Sequence, residues 1–390
     1  MYFFYYIPVG LDIKRVRRAP VTIFLIAVSV LVFLLYRYMP ASGGFRAVNL
    51  LFLPSDPNPA TALTHAFFHT GWVHLIGNMV YLLIFGRALE DRFGPGRYFL
   101  IFALSAMAGA YAHLFLVRIW SPSFINTAVG GASGATSGLL GAFLVRFYFA
   151  RIEVAYWVFM PLQAVNRAGK KYVPAVIGVI VWFVYQAVYA LIQFHGAGMS
   201  VAYGVHVGGF LCGILLALLS GAAADAARER YLVRARGYFR RSTWYAAQGQ
   251  YIKYLERVPG DCDVRTELAR AYICAGDYGQ AQEQYHKAIR GLLRRGERGR
   301  AEEVFSQAIK GVRGFRMDER EFLDLAFGAE RAMKYHCAAA AYEHFLQTYP
   351  ISDQASFVLL RLAGLQKGRL NQAAKAADNY RRIISDFPYS

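Results

Sequence analysis

Four polar residues stand out because they sit in apolar stretches, where polarity is costly. Ser133 lies in Gly130-Gly131-Ala132-Ser133-Gly134-Ala135, opening an apolar run that reaches residue 149. His74 and Asn78 fall early in a second run, and His206 early in a third. A serine beside an imidazole pairs a nucleophile with a base for its proton. A further imidazole and a carboxamide are donors for the oxyanion that follows. That chemistry is acyl transfer. Packing is the opposing reading. Gly, Ala and Ser let membrane helices approach closely, and a lone intramembrane histidine can simply bond a neighbour. The choice depends on whether the four groups meet.

Apolar runs at residues 20–38, 73–89, 98–117, 132–149, 174–193 and 203–221 each come near the length that crosses ~30 Å of hydrocarbon. The first follows Lys14, Arg15, Arg17 and Arg18 in the manner of a signal peptide, but Tyr36 to Pro40 offers no small-residue cleavage site, so a membrane helix is expected. Residues 40–70, rich in Pro and Gly, are too long for a plain connector and are expected to be functional or partly structured. Arginines and lysines alternate between connectors. Arg87, Arg92 and Arg97, then Arg151, Arg167, Lys170 and Lys171, then Arg228 and Arg230, fall on one side; the other side has only Arg46 and Arg118. Six crossings with both termini cytoplasmic give this alternation. Ser133, His206, His74 and Asn78 then share a depth near the outer face, because the second, fourth and sixth helices run the same way.

Helix periodicity adds detail. His74 and Asn78 are four apart and share a face. Gly209 and Gly213 lie below His206, while Gly134, Gly138 and Gly141 lie below Ser133. Two glycine-lined helices can approach as closely as a hydrogen bond of about 2.6–3.2 Å requires. Glu90 and Asp91 are expected to cap and pair at the inner interface, Arg146 to snorkel to headgroups, and His113 and His195 to be solvated.

The chain has 390 residues, 56% hydrophobic, with a net charge of +18. Cytoplasmic flanks of membrane helices account for the basic balance, so nucleic acid is not an expected partner; membrane lipids are. Cys212, Cys262, Cys274 and Cys337 show neither metal nor disulfide spacing and read as unpaired core residues. No metal and no cofactor are expected. The pattern changes after residue 221. Residues 222–243 read as a helical linker and 244–390 as a soluble helical domain. Ala281, Tyr285, Ala288 and Ile289 are echoed by Ala301, Phe305, Ala308 and Ile309, and Tyr342 and Tyr380 sit in similar segments. With Gly276-Asp277-Tyr278 at a turn, this resembles tetratricopeptide repeats of uneven spacing; a plain helical bundle is the alternative. The expected fold class is all-α, a polytopic six-helix membrane bundle over residues 1–221 followed by the repeats.

Residues 64–78, Thr-His-Ala-Phe-Phe-His-Thr-Gly-Trp-Val-His-Leu-Ile-Gly-Asn, together with Gly131-Ala132-Ser133-Gly134 and His206-x2-Gly209-x3-Gly213, resemble the rhomboid family of intramembrane serine proteases over about residues 1–220. The resemblance implies Ser133 as nucleophile and His206 as general base. It implies an oxyanion site at His74, Asn78 and the Ser133 N–H, a structural or water-organising His69, and Gly131 keeping the approach open. It also implies an endopeptidase in a bacterial inner membrane, cleaving transmembrane proteins near the outer face. A non-catalytic rhomboid-like scaffold that escorts clients is the alternative; a transporter is a weaker third. The repeats would recruit a protein partner or substrate. Three departures stand out. Ser137 replaces an aromatic that stacks on the base, leaving Tyr203 as the expected support. Phe45-Arg46 replaces a Trp-Arg pair, and Val205 replaces an Ala that precedes the base, where it could crowd the dyad.

Overall fold

The computed structural model describes residues 3–13, 18–39, 47–160, 165–194 and 202–387. Lys14, Arg15, Arg17, the Phe45-Arg46 pair and His195 lie outside them. The chain divides into two compact units, 1–227 and 228–390.

In the first unit, α1 (Pro20–Tyr38) precedes a short helix α2 (Pro59–Thr64). Next come α3 (Trp72–Tyr81) and α4 (Arg87–Phe93), joined by a π-helical turn at Leu82–Gly86 into one apolar stretch. Helices α5 (Pro95–Trp120), α6 (Ser133–Arg146), α7 (Ala175–Phe194) and α8 (Tyr203–Leu219) complete it. Among the described residues, α1, the α3–α4 stretch, α5 and α7 are long and apolar enough to cross a membrane. With 14 and 17 residues, α6 and α8 are shorter. Helix α6 is buried on every side from Gly134 to Phe143, so its surface meets other helices.

Directions alternate. Glu90, near the end of α4, accepts from the Val21 and Thr22 N–H groups at 2.9 and 2.8 Å and from the Thr22 hydroxyl at 2.7 Å, capping the start of α1. At the other end of α1, Phe33 meets Trp72 edge-on at 4.8 Å. The stretch α3–α4 is therefore antiparallel to α1. It is parallel to α6, since Asn78 pairs with Thr136 and Phe85 with Phe143. Asp91 pairs with Arg92 at 3.0 Å. The loop after residue 46 is ordered: a 3-10 turn at Ala47–Leu50, then Phe52 exchanging both backbone hydrogen bonds with Val129, just ahead of Ser133.

The fold is not all-α. Strands β1 (Phe3–Leu11), β2 (Arg151–Met160) and β3 (Val165–Pro174) form an antiparallel sheet in that order, with a bulge between Pro8 and Gly10. The basic connector after α6 is thus a hairpin. Ile152, Val154, Tyr156, Trp157 and Val158 favour a strand. Alternation buries Ile152 and Val154 under the helix ends. A search for runs of membrane-spanning length passes over a period of two.

Helix α9 (Ala222–Arg240) spans the division between the units. The second unit continues with α10 (Trp244–Leu255), α11 (Cys262–Cys274), α12 (Tyr278–Arg294), α13 (Arg298–Gly311), α14 (Glu319–Arg331), α15 (Tyr335–Thr348), α16 (Ala355–Gly368) and α17 (Ala373–Asp386). One turn recurs four times. The N–H groups of Thr243, Asp277, Glu297 and Lys334 each reach the carbonyl five residues back, at 2.9–3.1 Å. The residue before each (Ser242, Gly276, Gly296, Met333) has positive φ. This is a Schellman ending whose last residue begins the next helix. Ala281, Tyr285, Ala288, Ala301, Phe305, Ala308, Ala338, Tyr342 and Phe345 are all at most 2% exposed in one core. All four cysteines are free; Cys262 is buried, but Cys274 is exposed, against expectation. It ends α11 on the turn side, outside the core face.

Candidate active site

Glycine contacts draw α5, α6 and α8 together. A Cβ on Gly213 would run into the Gly138 carbonyl, one on Gly209 into the Gly134 carbonyl, and one on Gly141 into the Phe210 carbonyl. The Gly134–Gly209 and Gly138–Gly213 pairings rise in step, so α6 and α8 are parallel and Ser133 and His206 lie level. Val205 does not crowd the dyad. Its side chain fills the space left by Gly134 and Gly109, with Cγ1 2.5 Å from the Cβ position of Gly134.

Ser133 opens α6, so its N–H lies in the first turn and has no intrahelical acceptor. Its Oγ is 2.8 Å from His206 Nε2. On the far side of the ring, His206 Nδ1 is 2.7 Å from Gln186 Oε1, from α7. Tyr203 only meets the imidazole edge-on, with centroids 6.0 Å apart. The hydrogen bond on that side of the base therefore goes to Gln186 Oε1, and Tyr203, the expected support, adds only its edge-on contact. Ser137, one turn after Ser133, turns back and donates to the Ser133 carbonyl at 2.6 Å.

His74 and Asn78 flank the serine from α3. Gly131 has φ +129°, a conformation that favours glycine, and its Cβ position is 2.7 Å from His74 Nε2 and 3.8 Å from Ser133 Oγ. A side chain there would fill the volume between nucleophile and imidazole. Thr70 Oγ1 lies 3.5 Å from His74 Nδ1; when the hydroxyl donates to Nδ1, Nε2–H faces the serine. Asn78 is oriented by its partners: Nδ2 donates to the His74 carbonyl at 3.0 Å, and Oδ1 lies 3.4 Å from Thr136 Oγ1. The second Nδ2 proton remains for a ligand.

His69 is fully buried and positions the loop before the serine. Its Nδ1 faces the Phe67 carbonyl at 3.3 Å and so carries the proton; Nε2 then accepts from the Ala132 N–H at 3.4 Å. The His65 carbonyl holds the Gly131 N–H at 2.8 Å. Two expectations fail nearby. His113 is fully buried beside the site, because Gly204 lets α8 close over it. Arg146 does not extend outward; it is 7% exposed and lies 5.0 Å over the Phe147 ring, where cation–π contact and enclosure hold it.

Ser133, His206, His74 and Asn78 line one cavity of about 650 Å³, walled by α3 on one flank and by Trp182 and Gln186 of α7 on the other. Among the described residues, its lining carries no Asp, Glu, Lys or Arg. Among the described residues, no group of three or more His, Cys, Asp or Glu is placed to hold a metal. Gln186 and Thr136 were absent from the sequence-based site. Gln186 had a signal, as the carboxamide in the middle of the apolar run 174–193, whose other one, Gln193, stands at its end. Thr136 had none beyond its place one turn from Ser133.

Residues 58–223 match the Rhomboid domain. Rhomboid protein 1, mitochondrial, of Saccharomyces cerevisiae is 28% identical over 183 residues, 45% of this chain and 45% of that protein. Rhomboid protease GlpG of Enterobacter sp. is 26% identical over 207 residues, 52% of this chain and 64% of that protein. RHOMBOID-like protein 6, mitochondrial, of Arabidopsis thaliana is 39% identical over 83 residues, 21% of this chain and 24% of that protein. The chain thus spans between about a quarter and two thirds of these relatives' lengths. A crystal structure of MamA protein aligns with 40% of this chain and 90% of its own at 14% identity, with a TM-score of 0.21, too low to bear on the fold. Residues 58–223, which match the Rhomboid domain, contain α3, α5, α6, α7 and α8, the helices that line the cavity.

Proposed function

We propose that this chain is an intramembrane serine endopeptidase with Ser133 as nucleophile and His206 as general base. The observation that carries the reading is the 2.8 Å contact between Ser133 Oγ and His206 Nε2, with Nδ1 engaged on the other side. Oγ attacks the scissile carbonyl while Nε2 takes its proton. The oxyanion that forms accepts from His74 Nε2–H, the free Asn78 Nδ2–H and the Ser133 N–H at the positive end of α6. The imidazolium returns its proton to the leaving amine, giving an acyl-enzyme. Water then repeats the sequence with His206 as base and frees the acid.

The setting follows from the same reading. Six helices cross the membrane with both termini cytoplasmic, and the cavity opens near the outer face. On this reading the protein sits in a bacterial inner membrane among lipids, its substrates being transmembrane proteins with a locally unwound segment. The membrane unit comprises residues 1–221, and residues 222–243 form a helical linker. Residues 244–390 form tetratricopeptide-like repeats that recruit a protein partner or substrate tail, a role drawn from architecture. The hydrogen-bonded dyad and the names of the relatives support a protease over an inert scaffold.

Ser133→Ala should abolish both cleavage of a transmembrane reporter in liposomes and fluorophosphonate labelling of the purified full chain. Undiminished cleavage by that variant would sink the assignment.

A further inference from the structure

We propose that Gln186 is a positioning residue that makes the dyad a neutral triad, Ser133–His206–Gln186. The proposal deepens the protease reading and rests on it. Gln186 is 7% exposed and sits mid-way along α7, with Oε1 2.7 Å from His206 Nδ1. An amide oxygen only accepts. It therefore holds the proton on Nδ1 and leaves Nε2 with a lone pair aimed at Ser133 Oγ, 2.8 Å away. The other tautomer would point N–H at the serine and could not take its proton.

Two aromatic contacts fix the register of α7 against α8 around this hydrogen bond. Phe183, three residues before Gln186, stacks on Phe210 with centroids 4.3 Å apart and planes 19° apart. Tyr189, three residues after it, meets Tyr203 at 5.6 Å. Phe210 and Tyr203 lie four after and three before His206, so the amide and the imidazole face each other between clamped turns. Ser137 does not substitute, since its hydroxyl is committed to the Ser133 carbonyl.

The neutral partner suits its surroundings. Among the described residues, the titratable groups that line the cavity are His74 from α3, His113 from α5, His206 itself and Tyr81. An amide fixes the tautomer without adding a charge to this apolar site; a carboxylate there fixes the same tautomer at a cost in stability, offset in part by pairing with the imidazolium that forms during catalysis.

The test uses the purified full chain in detergent. Gln186→Leu keeps the volume and removes the acceptor. It should slow fluorophosphonate labelling of Ser133 and lower kcat on a reporter substrate about tenfold or more with KM unchanged, because a share of the enzyme then holds the wrong tautomer. Gln186→Glu keeps an acceptor and should label within a few-fold of the parent. In 15N spectra, His206, assigned as the signal missing from His206→Asn, should carry its proton on Nδ1 in the parent and in Gln186→Glu, and on both nitrogens in exchange in Gln186→Leu. Labelling of Gln186→Leu at the parent rate, a Gln186→Glu variant as slow as Gln186→Leu, or an unchanged His206 tautomer in Gln186→Leu overturns the proposal. If the parent itself fails to label at Ser133, the protease reading falls, while the 15N comparison still decides whether Gln186 sets the tautomer.

Discussion

The two units solve helix packing in opposite ways. In the first, backbones touch backbones: the α6–α8 seam closes because Gly134, Gly138, Gly141, Gly209 and Gly213 present no side chain to each other. In the second, helices are held apart by filled hollows. Tyr285, Phe305, Tyr342 and Phe345 are almost fully buried, with alanines beside them. The physical reason is the solvent. Lipid tails give two membrane helices little hydrophobic reason to associate, so close contact must supply the attraction. In water, burying an aromatic side chain is itself favourable. The difference teaches where each unit is fragile. Removing atoms should break the second, and adding atoms should break the first.

The largest effect is expected in the second unit. Phe345 is fully buried in α15 and meets both Phe322 and Tyr349. Phe345→Ala should destabilise that unit by about 4 kcal/mol through lost burial and a cavity. The measurement is denaturant-dependent hydrogen exchange of α14 to α16 in the full chain. Labelling of Ser133 should not change. If labelling fell along with exchange protection, the two units would be coupled and the contrast between them too sharply drawn.

Next in size is the reverse experiment. Gly213→Ala adds one methyl group where the Gly138 carbonyl stands. Backbone cannot rotate away as a side chain can, so α8 must shift from α6 and carry His206 with it. A displacement near 1 Å is enough to cost on the order of 100-fold in labelling rate, with loss of thermal stability in detergent. Labelling at the parent rate would show that the seam has slack and that glycine is not what sets the Ser133–His206 distance.

Legibility followed the same divide. Ser133, His206, His74 and Asn78 were readable because polar groups in apolar runs are rare and charge alternation gives each helix a direction. The glycine seam was readable from spacing alone. Gln186 was not paired with His206, because the rotation of α7 is set by Phe183 on Phe210 and Tyr189 on Tyr203, contacts between aromatics that any lipid-facing helix carries in number. The sheet escaped for a different reason. Pairing of Phe3–Leu11 with Arg151–Met160 joins segments far apart in sequence, and the alternate burial that marks a strand is confined to the short stretch of Ile152 and Val154 among the described side chains. His113 and Arg146 were misplaced outward because depth was read from chain position, whereas both are enclosed by neighbouring elements. In the second unit the alanine and aromatic spacing marked the core, but glycine announces the recurring Schellman turn only at Gly276 and Gly296, since Ser242 and Met333 take the same left-handed conformation without one.

The smallest effect sharpens the comparison most, because it reverses the sign of the same substitution. Gly364 is exposed in the interior of α16, and a Cβ there meets nothing within 4 Å. Here glycine supplies no close approach; it only leaves the unfolded chain more freedom and the helix less inherent preference. Gly364→Ala should therefore stabilise the second unit by about 0.5–1 kcal/mol, read as slower hydrogen exchange in α16 with labelling of Ser133 unaltered. The same methyl group on Gly213 is expected to wreck the seam. A destabilised Gly364→Ala would mean that this exposed face of α16 is itself a close-packed surface, and that the second unit also relies on glycine for contact.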